Sequence, residues 1–220
     1  MSGGPGFGAR LAVAASAYNV VHHLGTLPGG LGDAGDTRVV DWIDLAAPLV
    51  VLGTAAWALA AASGPGAVVR DGPRGVLRRW VAFGAGAVLY AQGQGIHLAA
   101  NSIGNVAPSP AAHLWDEVVG HAVWYAGVAV VAAALGTAMA GRSLPSGRGA
   151  TAGAVLLALT TGGTWVTNAV GGGLVVPALV VAVALGSYGW RHRDGLAAAL
   201  AVAFLPAAVA LAALLAVRAG

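Results

Sequence analysis

The stretch HLWDEVVGHAVWYAGVAVVAAALGTAMA, His113–Ala140, decides the fold. Its first nine residues hold His113, Asp116, Glu117 and His121, and the nineteen that follow, Ala122–Ala140, contain no Asp, Glu, Lys, Arg or His. At about 1.5 Å per residue those nineteen reach ~28 Å, close to the ~30 Å hydrocarbon core of a bilayer. The stretch predicts a membrane-spanning helix with its polar groups crowded at one end.

The remainder of the 220 residues agrees. Hydrophobic residues make up 58%, charged residues only 9%, and mean hydropathy is +0.78, where a soluble domain carries roughly 25% charge. Spans of ~20 residues joined by short loops would number about seven in this length. Hydropathy and breaker residues predict helices near 9–26, 40–62, 78–102, 112–140, 151–170, 174–190 and 196–217. They are separated by "TLPGGLGDAGD", "SGPGAVVRDGPRG", "GNVAPSPA", "GRSLPSGRG", "VGGG" and "RHRDG". The expected fold is therefore an all-α, seven-helix integral membrane protein, one polytopic domain over 1–220. The first residues, "MSGGPGFGARLAVAASA", resemble a short signal peptide, but the apolar run is brief and an uncleaved first helix is expected.

Cysteine is absent, which excludes disulfides, thiol catalysis and thiolate metal sites. Lysine is absent too, which excludes a retinal or pyridoxal Schiff base. All eleven basic residues are arginines scattered over loops, the mark of a high-GC coding bias. The pI near 10.0 is therefore no sign of nucleic-acid binding. Arg70, Arg74, Arg78 and Arg79 lie at the second loop, Arg142 and Arg148 at the fourth, Arg191 and Arg193 at the sixth, while only Arg38 interrupts the odd loops. The positive-inside rule puts the even loops and the amino terminus in the cytoplasm and the carboxyl terminus outside. A multi-pass cell-membrane protein is expected, with a bacterial inner membrane as its location.

In that orientation the polar residues gather in one layer. His22 and His23 end the first helix, Asp41 and Asp44 begin the second, His97 and Asn101 end the third, and Asp116, Glu117 and His121 begin the fourth. Gln94 shares the His97 face, Trp124 follows His121 by three residues, and Asn168 comes from the fifth helix at the same level. Each has an ordinary structural use: acids offset a helix dipole, intramembrane histidines bond neighbouring helices, and tryptophans form interfacial belts. Independent structural uses do not explain why four helices place imidazoles and carboxylates at one level.

A histidine-rich, sulfur-free cluster with carboxylates suits zinc or another divalent metal. The expected ligands are His97, His121 and either His23 or His22, with Glu117, Asp44 and Asp116 as catalytic carboxylates. Asn101, Asp41, Gln94, Trp124 and Asn168 would support the site or meet the substrate. The function this implies is a metal-dependent hydrolase acting on a membrane lipid or lipid-like small molecule in a pocket at the outer face, with no nucleic-acid partner. The same residues admit two alternatives. Histidines on several helices could ligate a haem in an electron-transfer protein, or the acids could work without metal in an acid/base enzyme such as a terpene cyclase.

In helix count and His/Asp cluster the chain is similar to the seven-helix membrane hydrolases of the alkaline ceramidase and adiponectin-receptor type, which implies a zinc site. It departs from them in having no histidine within the last two predicted spans. The His97/Asn101 pair also resembles a rhomboid protease helix, but "GSYG" at 186–189 misplaces the serine that family needs.

Overall fold

Seven helices make up most of the computed structural model, which describes residues 6–24, 31–144 and 146–219. They are α1 (Phe7–Leu24), α2 (Val39–Ala62), α3 (Pro65–Val106), α4 (Pro110–Met139), α5 (Arg148–Gly171), α6 (Val175–Arg191) and α7 (Ala198–Ala219). A two-residue hairpin, β1 (Asp33–Ala34) and β2 (Thr37–Arg38), leads into α2 and pairs Asp33 with Arg38. α2, α4, α5 and α7 are long and apolar enough to cross a membrane, and α6 is a shorter apolar helix. α1 and α3 fall outside that set, as helices bearing Arg10, Asn19, His22 and His23 or Gln92, Gln94, His97 and Asn101 would.

Local chemistry explains most boundaries. Ser109 accepts the Ala112 N–H at 3.1 Å and Pro110 follows, so α4 has a capped start with proline where its missing N–H costs nothing. The Arg38 N–H donates to the Asp41 carboxylate at 3.1 Å, which caps α2 and pairs the same carboxylate with the Arg38 guanidinium at 2.6 Å. The break expected at "SGPGAVVRDGPRG" is narrower than the sequence suggests. Pro65 opens a helical stretch directly, and the only non-helical residue inside α3 is Gly72, at φ 71°. That glycine, at φ 71° and ψ 163°, ends a short first helix and Pro73 opens the next, so α3 is two helical segments that meet at a kink.

α3 and α4 lie against each other through glycines, with little side chain between the backbones. A Cβ at Gly93 would collide with the Trp124 backbone, one at Gly127 with the Tyr90 backbone, and one at Gly86 would come within 2.9 Å of Val131 N. Gly86 and Gly93 are seven apart on α3, and Gly120 and Gly127 seven apart on α4, so each pair lies on one helix face. The small residues around Tyr90 thus do allow close packing, as membrane helix pairs favour. Elsewhere Gly189 of α6 meets Ala197 and Ala201, and Gly162 of α5 meets Ala203 of α7.

The core contains a file of aromatic rings. Trp124, Tyr125, Trp165 and Phe204 follow one another at centroid separations of 5.7, 4.1 and 5.5 Å. Trp165 donates Nε1–H to the Ala178 carbonyl at 3.2 Å and is almost fully buried. Trp124 and Trp165 are therefore core residues, whereas belt positions were the default expectation. Trp42, Trp115 and Trp190, all more than half exposed, have the exposure a belt needs.

A candidate polar site between α2, α3 and α4

The site grows from α3. Tyr90, Gln94 and His97 follow at intervals of four and three, so they line one face, with Tyr90 and Gln94 buried below His97. His97 is fixed from the α4 side, because Gly120 packs against its backbone and a Cβ there would lie 2.9 Å from His97 N. The segment of α4 that faces it is a π-helical turn, Leu114–Gly120, embedded between α-helical stretches. Such turns insert a residue and recur at functional sites. Here the turn carries Asp116 and Glu117 and delivers His121 immediately after.

Asp116 Oδ1 lies 2.5 Å from His97 Nδ1, and Asp44 Oδ2 of α2 lies 3.9 Å from His97 Nε2. The Asp116 contact has the distance of an ion pair but not the alignment of a hydrogen bond, so both atoms are buried without a hydrogen-bond partner. The His121 ring sits 4.7 Å from the His97 ring, centroid to centroid. Its Nδ1 is 3.1 Å from the Glu117 carbonyl oxygen and 3.6 Å from the Glu117 carboxylate. Gly172, just after α5, leaves room for the His121 ring, since a Cβ there would come within 3.1 Å of it. Both imidazoles thus turn Nδ1 to an acceptor on α4, which frees Nε2.

Buried polar atoms left without a partner concentrate here. Among the described residues there are four: His97 Nδ1, Asp116 Oδ1, Trp124 Nε1 and Arg79 Nε. Three belong to this site, two of them the facing atoms of the His97–Asp116 ion pair, and buried polar groups short of hydrogen bonds in a native fold call for a specific reason. No three His, Asp or Glu side chains among the described residues are already gathered around one point in the manner of a finished metal centre.

His97, His121, Asp44, Asp116 and Glu117 come together as the sequence led one to expect, and Gln94 lies buried beside Asp44. The first helix contributes differently. His22 is enclosed by Tyr18, Tyr90 and Trp124, with Nε2 2.9 Å from the Tyr90 hydroxyl. Trp124 contacts both His22, at 4.9 Å between centroids, and His121, at 6.5 Å. His23 is exposed and directs Nδ1 to the Asn19 carbonyl of its own helix at 2.7 Å. Asp41 is committed to Arg38, Asn101 receives a hydrogen bond from Asn105 at 3.3 Å, and the Asn168 amide reaches the Tyr18 hydroxyl at 3.4 Å. These three serve caps and helix contacts beside the His97 cluster.

Sequence reasoning missed two contributors. The Asn19 amide bonds Thr160, Thr161 and Thr164 at 3.0, 3.2 and 3.1 Å, tying α1 to α5 below the site. Its signal was the threonine pair in "LTTGGTW", which reads as helix weakness until a partner is known. Gly120 was the second, a residue whose value is the space it leaves for His97. No known protein family, curated protein or solved structure matches the chain.

Proposed function

We propose that the chain is a seven-span membrane enzyme, amino terminus in the cytoplasm and carboxyl terminus outside, that uses a divalent zinc-like metal to hydrolyse a lipid-like substrate. The observation that carries this reading is the treatment of the two imidazoles. Histidines that ligate metals nearly always give their second nitrogen to a carboxylate or carbonyl, which fixes the tautomer and aims the lone pair. His97 Nδ1 faces Asp116 and His121 Nδ1 faces the Glu117 carbonyl, while His97 Nε2 is 3.9 Å from Asp44 Oδ2. Two donors that share a tetrahedral ion at ~2.0–2.2 Å each stand about 3.3–3.6 Å apart, so this pair would have to close by a few tenths of an ångström around one.

In this scheme His97, His121 and Asp44 would hold the ion and Asp116 would orient His97. A bound divalent ion would polarise a carbonyl and lower the pKa of water towards neutrality. Glu117, the most exposed carboxylate of the group, takes the proton from the attacking water and returns it to the leaving group. Leu114, Trp115 and Val118 on the same turn are about half exposed, which lets an apolar substrate approach from the side.

A second reading rests on the His97–Asp116 contact alone. An imidazole held against a buried carboxylate is a general base without any metal. Two rings only 4.7 Å apart have no space for a macrocycle between them, so this pair gives the haem alternative no support. Elemental analysis of detergent-purified protein, prepared without chelator and supplemented with zinc, separates the first two readings. One ion per chain in the wild type and none in His97→Ala or His121→Ala supports the metal. A metal-free wild type with folded variants rejects it and leaves the imidazole–carboxylate pair.

A further inference from the structure

Below the polar site, running towards the opposite end of the bundle, a cavity of about 600 Å³ opens between α1, α2, α4, α5 and α7. Its walls are Ala12, Ala15, Val131, Leu157 and Leu200 with their neighbours, closed towards the polar site by Tyr18, Tyr90 and Trp165. From Gly8 to Tyr18 along α1 it runs for ten residues, about 15 Å, or the depth of one leaflet. Apolar cavities far smaller than this already stay dry, and pockets of roughly 300–1,000 Å³ are the size that binds ligands.

Beyond its lower mouth lies a second pocket of about 360 Å³, which shares Gly8, Ala9 and Leu196 with the first and adds Arg142 and Ser143. The Arg142 guanidinium stacks on Phe7 at 4.5 Å and donates to the Ala138 and Ala62 carbonyls at 2.6 and 2.9 Å. Among the described residues no carboxylate pairs with it. The nearby Arg70 and Arg79 share Asp71 at 2.8 and 2.6 Å, and these two arginines hold that carboxyl down at about 2. Burial, and then repulsion from Arg70 and Arg79, disfavours the Arg142 charge, and the attraction of Asp71 offsets only part of this. An anion beside it would restore the balance.

We infer that these two pockets together form a binding site for one anionic glycerophospholipid, with an acyl chain in the apolar cavity and the phosphate at Arg142. The Arg142 end of the site lies about fourteen residues down α1 from His22, roughly 21 Å from the polar cluster. Its upper end, at Tyr18 and Tyr90, reaches the rings that enclose His22. The lipid completes the core on the arginine-rich side and holds α1 against α5 and α7.

The test uses full-length protein reconstituted in vesicles of phosphatidylglycerol or phosphatidylcholine, then transferred to detergent and weighed by native mass spectrometry. Wild type should retain one phosphatidylglycerol per chain and at least tenfold less phosphatidylcholine. Arg142→Gln should erase that preference while Arg142→Lys keeps it, and Ala12→Phe with Ala154→Phe should abolish retention in protein that still melts cooperatively. Inorganic phosphate alone should not raise the melting temperature, because the acyl chain supplies much of the binding. The proposal is overturned if wild type retains no lipid or retains both lipids equally. It is also overturned if Arg142→Gln keeps the preference, if phosphate protects as well as lipid, or if the chain is a dimer whose partner fills the cavity.

Discussion

At the scale of single residues, what separates His97 from the other histidines is the partner of each ring nitrogen. Nδ1 meets Asp116 and Nε2 looks towards Asp44, whereas both His22 and His23 have a nitrogen engaged with α1 or α3. Asp116→Asn tests the orienting role. The amide keeps the size but exchanges a charged acceptor for a neutral one, and substitutions beside a ligating histidine typically cost about 10–100-fold in metal affinity or activity. We expect zinc affinity, measured by competition with a chelating dye, to fall in that range with the melting temperature little changed. An unaltered affinity would remove Asp116 from the site. The convergence of His97, Asp44, Glu117 and His121 was legible in the sequence because helical spacing and loop charge put them at one level. The choice between His22 and His23 was not. Adjacent helical residues point about 100° apart, and Tyr90 and Trp124, distant in sequence, decide which one turns inward.

At the scale of elements, the α3–α4 pair sets the geometry of the site, and glycine sets the pair. Gly93 and Gly127 meet the opposing backbone directly, so any side chain there must push the helices apart. Gly127→Val should destabilise the protein by about 1–3 kcal/mol, the usual cost of overpacking, and reduce metal binding by moving His97 away from α4. Gly53→Ala on α2 is the control, since nothing lies within 4 Å of its Cβ and alanine favours helix. Thermal unfolding in detergent reads both. Equal melting temperatures for Gly127→Val and wild type would mean the helices are not held by this contact. The helices themselves were readable from apolar runs between proline and glycine breaks, with ends shifted by a few residues. The π-turn at Leu114–Gly120 was not, because the sequence reads equally well as α-helix. Only the registry against Gly120 and His97 reveals the inserted residue. The break before the third span falls within the expected stretch, at Gly72, but a short helical segment opened by Pro65 precedes it and Pro73 opens the long one.

At the scale of the whole molecule the two ends differ in chemistry. Imidazoles and most of the carboxylates occupy one, and most of the arginines, two of them sharing Asp71, the other, with apolar helices between them. That polarity implies an orientation, and the absence of cysteine makes it directly measurable. Asp36, in the hairpin before α2, and Asp194, after α6, are both exposed. Five helices separate them, so the proposed arrangement puts them on opposite sides of the membrane. Asp36→Cys and Asp194→Cys, each the only thiol in its chain, are to be treated with a membrane-impermeant maleimide in intact cells. The first should label and the second should label only after lysis. Labelling of both without lysis would mean that an even number of helices cross between them, and α6, the shortest apolar helix, would be the first candidate for a helix that does not cross. The reverse pattern would keep the helix count and invert the protein. In that case the arginine-rich end would face outward against the positive-inside rule, and the His97 site would draw its substrate from the cytoplasmic leaflet.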